Sequence, residues 1–161
     1  MSFLSRLFGG KPTAKSYASD ELHINGKRLK LTFFAHASLA IEYEGRHIYL
    51  EPVMGNADYA QLPKADMILV SHSHYDHFDM AAIEALLKPD TRILLDKTSA
   101  EVFHGDCYTM LPGATAEPFD DIRVEAVAAY NTSEHQLQFH PKEREDCGYV
   151  VTLGGAVRIY M

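Results

Sequence analysis

Metal-ligating side chains follow a short apolar segment near the middle of this chain of 161 residues. The segment, 65–70, has the composition of a β-strand that is buried on both faces. Directly after it come three imidazoles and a carboxylate: His72, His74, Asp76 and His77. Sites of α/β proteins lie at the carboxyl ends of such strands, and zinc is bound by these two types of ligand. The pattern therefore predicts an α/β fold with a metal site at the end of this strand.

The spacing of these four side chains predicts two groups of ligands. In an extended loop, His72 and His74 alternate to the same side and can reach one ion together. Asp76 and His77 lie past the turn and point elsewhere, so they would serve a second ion nearby. Two metal ions ~3.5–4 Å apart can hold a hydroxide nucleophile and polarise the oxygen of a substrate.

The rest of the chain has the periodicity of a layered α/β domain. Asp79 is placed to cap a helix that Pro89 ends, and Asp96 is placed to cap a second helix. The runs on either side of Glu44-Gly45 predict a β-hairpin. We predict helices at 80–88 and 98–103, and strands at 28–34, 38–44, 47–50, 65–70, 92–96, 121–130, 148–153 and 157–161. Strands, a βαβ passage and further strands favour an α/β architecture.

Charge and composition exclude several classes of partner. Twenty-two acidic and fifteen basic side chains give a formal net charge of −7, which disfavours nucleic acid as a partner but not a small phosphorylated substrate. No stretch approaches the ~18 apolar residues of a membrane span. Cys107 and Cys147 are expected to be free thiols in a reducing compartment, so we expect a cytoplasmic protein. Residues 1–24 are expected to form a flexible N-terminal arm.

The histidine motif resembles the signature of the metallo-β-lactamase-fold hydrolase superfamily. Upstream, Phe34-Ala-His36-Ala-Ser38 and Glu51-Pro52-Val53 resemble the branch with ascorbate-6-phosphate lactonase and the N-acylphosphatidylethanolamine phospholipase D-type enzymes. The resemblance covers roughly residues 28–160. It implies an αββα sandwich, a dinuclear metal site and hydrolysis of an ester, lactone or phosphodiester.

The resemblance leaves the third ligand of the His72/His74 ion open. Many relatives carry a histidine at the end of the strand that corresponds to 125–130, whereas this chain has Asn131 there. His140 is our predicted third ligand, with His135 as the alternative. Asn131 would instead hold a water or a substrate oxygen. His36 would lie near the site as a substrate-binding or supporting group, unless it is a turn histidine that bonds the backbone.

The implied activity is that of a hydrolase with a metal-bound hydroxide and a small-molecule substrate. Asp76 would act as a catalytic residue that orients the hydroxide and takes its proton. Zinc is the expected metal, as one or two ions, with manganese and iron as alternatives. The competing hypothesis is a non-hydrolytic metal-binding or interaction module that associates with itself.

Two further features depart from the family pattern, and one charged segment shows no sign of a functional role. Glu51 stands where the family usually has aspartate, although its longer side chain can still form a supporting hydrogen bond. The bridging aspartate and final histidine of the family have no counterpart, so residues 25–161 are expected to form a C-terminally incomplete domain, the N-terminal part of the sandwich. Such a chain would be a fragment or a truncated form that dimerises. The charged run 142–146 is expected to be a solvated loop.

Overall fold

The computed structural model describes residues 15–161, which form two β-sheets packed face to face and two short α-helices. The strands are β1 Ala18–Ile24, β2 Lys27–Ala35, β3 Ser38–Tyr43, β4 Arg46–Leu50, β5 Met67–Val70, β6 Arg92–Asp96, β7 Tyr108–Met110, β8 Thr115–Phe119, β9 Ile122–Ala128, β10 Cys147–Leu153 and β11 Val157–Tyr160. The helices are α1 Met80–Leu86 and α2 Lys97–Val102, and 3-10 turns occupy Tyr59–Gln61, Glu134–Gln136 and Lys142–Arg144.

The first sheet contains β1 to β7 in chain order, antiparallel from β1 to β4 and parallel from β4 to β7. The second sheet has the antiparallel order β11-β10-β9-β8. Both helices pack on the outer face of the first sheet. This confirms the predicted fold class, with the two sheets and one helical layer of the αββα sandwich present in the described residues.

Strand β5 separates the two hydrophobic cores and explains why its sequence is wholly apolar. Met67 and Leu69 pack between the sheets, whereas Ile68 and Val70 pack beneath the helices. All four side chains are fully buried. The prediction of a strand buried on both faces is therefore confirmed, and the loop after β5 starts from a rigid point in the fold.

The two predicted helix caps position the helices beside the carboxyl ends of β5 and β6. Asp79 Oδ1 accepts hydrogen bonds from the backbone N–H groups of Ala81 and Ala82, at 2.9 and 3.3 Å. Asp96 accepts from the backbone N–H groups of Thr98 and Ser99 with Oδ2 and Oδ1, at 2.8 and 2.9 Å. Each cap satisfies backbone donors that the first helical turn leaves free. Because Asp79 follows the histidine motif by two residues, its cap also fixes the far end of that loop.

Three strands were not expected from the sequence. Residues 18–24, predicted as part of a flexible arm, instead form β1, which pairs with β2 along its whole length. Six of its seven residues are exposed, so no apolar alternation marks the strand. Strand β7 has only three residues, and β8 contains Pro118, which argues against a strand in sequence. Residues 1–14 of the predicted arm lie outside the described residues.

The carboxylate of Asp66 joins β4 to the segment after α1, and we predict that it stabilises the fold in a pH-dependent way. It accepts hydrogen bonds from the His47 N–H at 2.7 Å and from Lys88 Nζ at 2.6 Å. Partial burial raises the pKa of Asp66, but these two hydrogen bonds outweigh it and leave the pKa below its ordinary value. Replacing Asp66 with asparagine should lower the free energy of unfolding by about 1 kcal/mol at pH 7.

Since the native pKa of Asp66 is lowered, its contribution is complete above the ordinary aspartate pKa of ~4 and is lost as the pH falls through the native pKa. Urea unfolding of both proteins should therefore show a difference that narrows below pH ~4. Asp90→Asn is the matched control, because Asp90 is exposed and lies 3.8 Å from the same lysine. A difference that stays constant with pH, or an equal effect of Asp90→Asn, would contradict the assignment.

Candidate metal centre

Three histidines from two distant parts of the chain form the first cluster. Nitrogen atoms of His72, His74 and His140 all lie within 4.8 Å of one another. The ring centroids are 4.8 Å apart for His72 and His74, 4.8 Å for His72 and His140, and 4.7 Å for His74 and His140. His72 and His74 come from the loop after β5, and His140 comes from the loop between β9 and β10. The structure thus brings together the three side chains predicted for one ion.

The loop after β5 is held at several points by hydrogen bonds to other elements. The Ser71 N–H donates to Glu51 Oε1 at 2.8 Å, and the Ser73 N–H donates to Thr98 Oγ1 at 3.2 Å. The Ser71 hydroxyl lies 2.9 Å from His72 Nδ1, which leaves the Nε2 atom of His72 for other contacts. The His77 and Phe78 N–H groups donate to the carbonyl of His74 and close the turn. The loop therefore presents its histidines in a fixed arrangement.

The side chain of Asp146 orients His140. Its Oδ2 atom lies 2.9 Å from His140 Nδ1 and also accepts from Arg144 Nε at 3.0 Å. Asp146 is buried, so the prediction that 142–146 is simply a solvated loop was wrong for this residue. The neighbouring sequence does not distinguish Asp146 from the other charged residues of the run, because its contact with His140 forms only when the chain returns to β10. A carboxylate on one ring nitrogen leaves the other free for a metal ion.

The loop that carries His140 is closed by Asn131. The Asn131 N–H donates to the His140 carbonyl at 2.9 Å, and its side-chain Nδ2 donates to the Gln136 carbonyl at 3.0 Å. His135 lies in the exposed turn Glu134–Gln136, outside the cluster. The geometry therefore favours His140 over His135 as the third ligand.

A second cluster contains His36, Asp76 and His77, whose ligand atoms also lie within 4.8 Å of one another. His36 lies in the turn between β2 and β3. The prediction from sequence placed it near the site, but not in this group of donors. Glu51 follows β4, is 1% exposed, and its Oε2 atom lies 2.9 Å from His77 Nδ1. The supporting hydrogen bond expected from the longer side chain of Glu51 is thus present.

The environment of the first cluster keeps the imidazoles of His72 and His74 neutral. Burial, together with repulsion from His77, His140 and His74, lowers the pKa of His72 to about 3. Burial and the neighbouring His140 also lower the pKa of His74. The pKa of Asp76 is lowered as well: slight desolvation raises it, but its own backbone N–H and the adjacent histidines have the larger combined effect. Neutral imidazoles and an ionised carboxylate are the forms that bind metal ions.

The pKa values of Glu51 and His77 are linked, because the two side chains form a hydrogen bond. Burial raises the pKa of Glu51, although hydrogen bonds from His77 and Ser71 act against it. Burial lowers the pKa of His77, but the hydrogen bond to Glu51 and the charges of Glu51 and Asp76 outweigh this effect. The pKa of His77 is therefore raised above its ordinary value. With Nδ1 directed at Glu51, the Nε2 atom of His77 faces the second cluster.

The two clusters adjoin each other at a cleft. The rings of His72 and His77 are only 4.0 Å apart between centroids. The cleft has a volume of about 600 Å³, which is within the range of small-molecule sites. Besides these two histidines and His140, the lining includes Tyr130, Asn131 and Tyr160. Asn131, which the sequence predicted to hold a water or a substrate oxygen, therefore lines this cleft.

This fold and this pair of donor clusters are typical of metal-dependent hydrolases, and comparison with known proteins agrees. Residues 30–161 match the model of the beta-lactamase superfamily domain, so the chain belongs to this family. The resemblance to metallo-β-lactamase-fold hydrolases is thereby confirmed. In the described part of the chain, no helix has the length and apolar character needed to cross a membrane.

Two relatives are named as metal-dependent hydrolases. A UPF0173 metal-dependent hydrolase of Flavobacterium johnsoniae is 38% identical over 79 residues, which are 46% of this chain and 33% of that protein. A crystal structure of a protein from Parabacteroides distasonis, named as a metal-dependent hydrolase, has 37% identity and a TM-score of 0.85, covering 90% of this chain and 65% of that chain. This chain therefore spans about a third of the first relative and about two thirds of the second.

A more distant neighbour shows the fold alone. Igni18, described as a metallo hydrolase from Ignicoccus hospitalis, has 19% identity and a TM-score of 0.58 over 80% of this chain and 58% of its own.

Proposed function

We propose that this chain carries the metal site of a hydrolase that cleaves a small carboxylic ester, lactone or phosphodiester. The observation that supports this most is the contact between the two donor clusters, with the rings of His72 and His77 4.0 Å apart between centroids and both histidines on the wall of one cleft. Adjacent ions ~3.5–4 Å apart are the arrangement used to attack a substrate with an activated water.

The donor atoms fit zinc. The first cluster offers three imidazole nitrogens, which suit zinc or iron better than manganese, because manganese favours oxygen ligands. In both clusters, a histidine has its Nδ1 atom against a buried carboxylate, Asp146 for His140 and Glu51 for His77. This arrangement orients the metal-binding nitrogen and raises its basicity. We therefore propose zinc as the metal, with His72, His74 and His140 on one ion and Asp76 and His77 on the other.

Bound zinc would lower the pKa of water and polarise the substrate oxygen. Asp76 is the proposed catalytic residue, since its carboxylate lies among the donor atoms of the second cluster, where it would orient a water and take its proton. Asn131 is proposed to bind substrate, because it lines the cleft and its hydrogen bond to Gln136 uses only one of the two N–H groups of its amide. Lys142 Nζ lies 5.7 Å from the ring centroid of Tyr130, which lines the cleft, so positive charge is available for an anionic substrate.

A panel of aryl carboxylic esters, lactones and aryl phosphodiesters tests the proposal, with the zinc-loaded chain compared with the chelator-dialysed chain. We expect hydrolysis of at least one class, lost on dialysis and restored by zinc, because the attacking water needs the ion. If the chain binds zinc but hydrolyses none of the three classes, the hydrolase assignment fails. Light scattering on the same samples distinguishes the hydrolase from the competing hypothesis of a non-hydrolytic module. A self-associating module would change its mass when zinc is added and would show no turnover.

The proposal includes a cytoplasmic location, which is consistent with the free thiols of Cys107 and Cys147.

A further inference from the structure

We infer that His36 is a ligand of the second ion, completing a three-residue site with Asp76 and His77. The inference rests on the proposed function and extends it, because neither the histidine motif nor its spacing assigns His36 to a metal. It would give the second ion a ligand from the turn between β2 and β3, which is remote in sequence from the loop after β5.

The distances among the three donor atoms fit one tetrahedral ion. His36 Nε2 lies 3.2 Å from His77 Nε2 and 3.4 Å from Asp76 Oδ2. His77 Nε2 lies 3.9 Å from the same Asp76 oxygen. Ligand atoms ~2.0–2.2 Å from a tetrahedral ion are ~3.3–3.6 Å from one another. The two distances from His36 are close to this range, and the 3.9 Å distance between His77 and Asp76 is only slightly longer, so a small side-chain movement brings all three atoms onto one ion.

The orientation of the three donor atoms also favours one shared cation. His77 Nδ1 is directed at the carboxylate of Glu51, so its Nε2 atom is the ring nitrogen that faces His36 and Asp76. The Oδ2 atom of Asp76 and the Nε2 atom of His36 lie close to this nitrogen and to each other. A proton can serve one pair of these atoms at a time, whereas a divalent cation satisfies all three.

The surroundings of His36 favour this role over that of an ordinary turn residue. In the described part of the chain, its Nε2 atom contacts both Asp76 and His77, and its ring makes no hydrogen bond to the backbone. The backbone of His36 has a φ of 51°, a left-handed conformation that costs free energy in a residue with a side chain. The side chain is also 54% exposed, so burial of the ring does not repay this strain.

The turn is connected to the same elements that orient His77. The Ser38 hydroxyl donates to the carbonyl of Glu51, and Asn56 Nδ2 donates to Ser38 Oγ at 2.7 Å. Glu51 in turn contacts Ser71 and His77 through its two carboxylate oxygens. The positions of His36 and His77 are thus set by one hydrogen-bonded network centred on Glu51.

The test is the number of zinc ions bound by His36→Asn, measured by elemental analysis after dialysis and by titration of the metal-free chain with Zn²⁺. Asparagine accepts a positive φ, so the turn is retained while the imidazole is removed. The unmutated chain should bind about two equivalents, and the variant about one, because the first cluster is untouched. His23→Asn is the control, since His23 is exposed on β1 and should leave both equivalents bound.

A second measurement needs no variant. In the chain labelled with ¹⁵N-histidine, the second equivalent of zinc should shift the ring nitrogens of two histidines, whereas a site without His36 would shift only those of His77. Two equivalents retained by His36→Asn, one histidine shifted, or a single equivalent bound by the unmutated chain would each overturn the role of His36 and leave the first centre intact. Failure of the unmutated chain to bind any zinc would overturn this role and the proposed function together.

Discussion

Replacing His140 with alanine is expected to weaken zinc binding at the first cluster by more than ~100-fold and to reduce hydrolysis by at least the same factor. Loss of a residue that merely orients a ligand costs ~10–100-fold, and His140 is proposed as a ligand itself. The fold should survive, because buried Asp146 keeps its contact with Arg144 Nε when the imidazole is removed. Zinc titration by calorimetry measures the affinity, and circular dichroism checks the fold.

His135→Ala is the matched control for this experiment. His135 lies in the same loop, is exposed, and is the other histidine that the sequence allows as third ligand. Its removal should leave the zinc affinity and the rate of hydrolysis unchanged. If His135→Ala weakens binding as much as His140→Ala does, or if His140→Ala has no effect, the ligand set of the first cluster is wrong.

Replacing Glu51 with glutamine is expected to weaken the second zinc site by ~10–100-fold while the first site is retained. Glutamine keeps the size of the side chain and the positive φ of 49° that glutamate already adopts. Its amide oxygen can accept from the Ser71 N–H, but its NH₂ group then faces His77 Nδ1 as a donor. His77 must then accept at Nδ1 and carry its proton on Nε2, where that proton blocks a metal ion. The opposite orientation of the amide would leave the Ser71 N–H facing a donor.

One further variant separates the charge of Glu51 from its length, and another serves as a control. Glu51→Asp keeps the charge but shortens the side chain, so it should fall between the unmutated chain and Glu51→Gln in second-site affinity. Glu84→Gln, on the exposed face of α1, removes a charge elsewhere and should change nothing. Zinc equivalents and affinities measured on all four proteins test the mechanism. An unchanged second site in Glu51→Gln would show that the carboxylate does not set the protonation of His77.

Local sequence was sufficient for the elements whose signals are short-range. Strand β5 was predicted because all four of its side chains are apolar, and the structure shows that each one enters a core. Helices α1 and α2 were predicted from their caps, Asp79 and Asp96, because a cap depends on residues two or three positions away. The extent was less exact: α1 ends at Leu86, two residues before the predicted end.

Elements and contacts that depend on pairing across the chain were missed. Strand β1 has no apolar pattern of its own and exists because β2 supplies its hydrogen bonds. The buried position of Asp146 likewise depends on the loop that returns His140 to the cleft. No local property of either segment indicates the partner that it will meet.

The sequence by itself determined the α/β class, the strand that ends at the site, and the motif whose side chains are proposed to bind metal. These follow from hydrophobic periodicity and from the chemistry of neighbouring residues. Only the tertiary structure decided that His140 rather than His135 reaches His72 and His74, and that His36 meets Asp76 and His77. The physical reason is that each cluster joins loops from separate strands, so its geometry is set by how the sheets pair and pack.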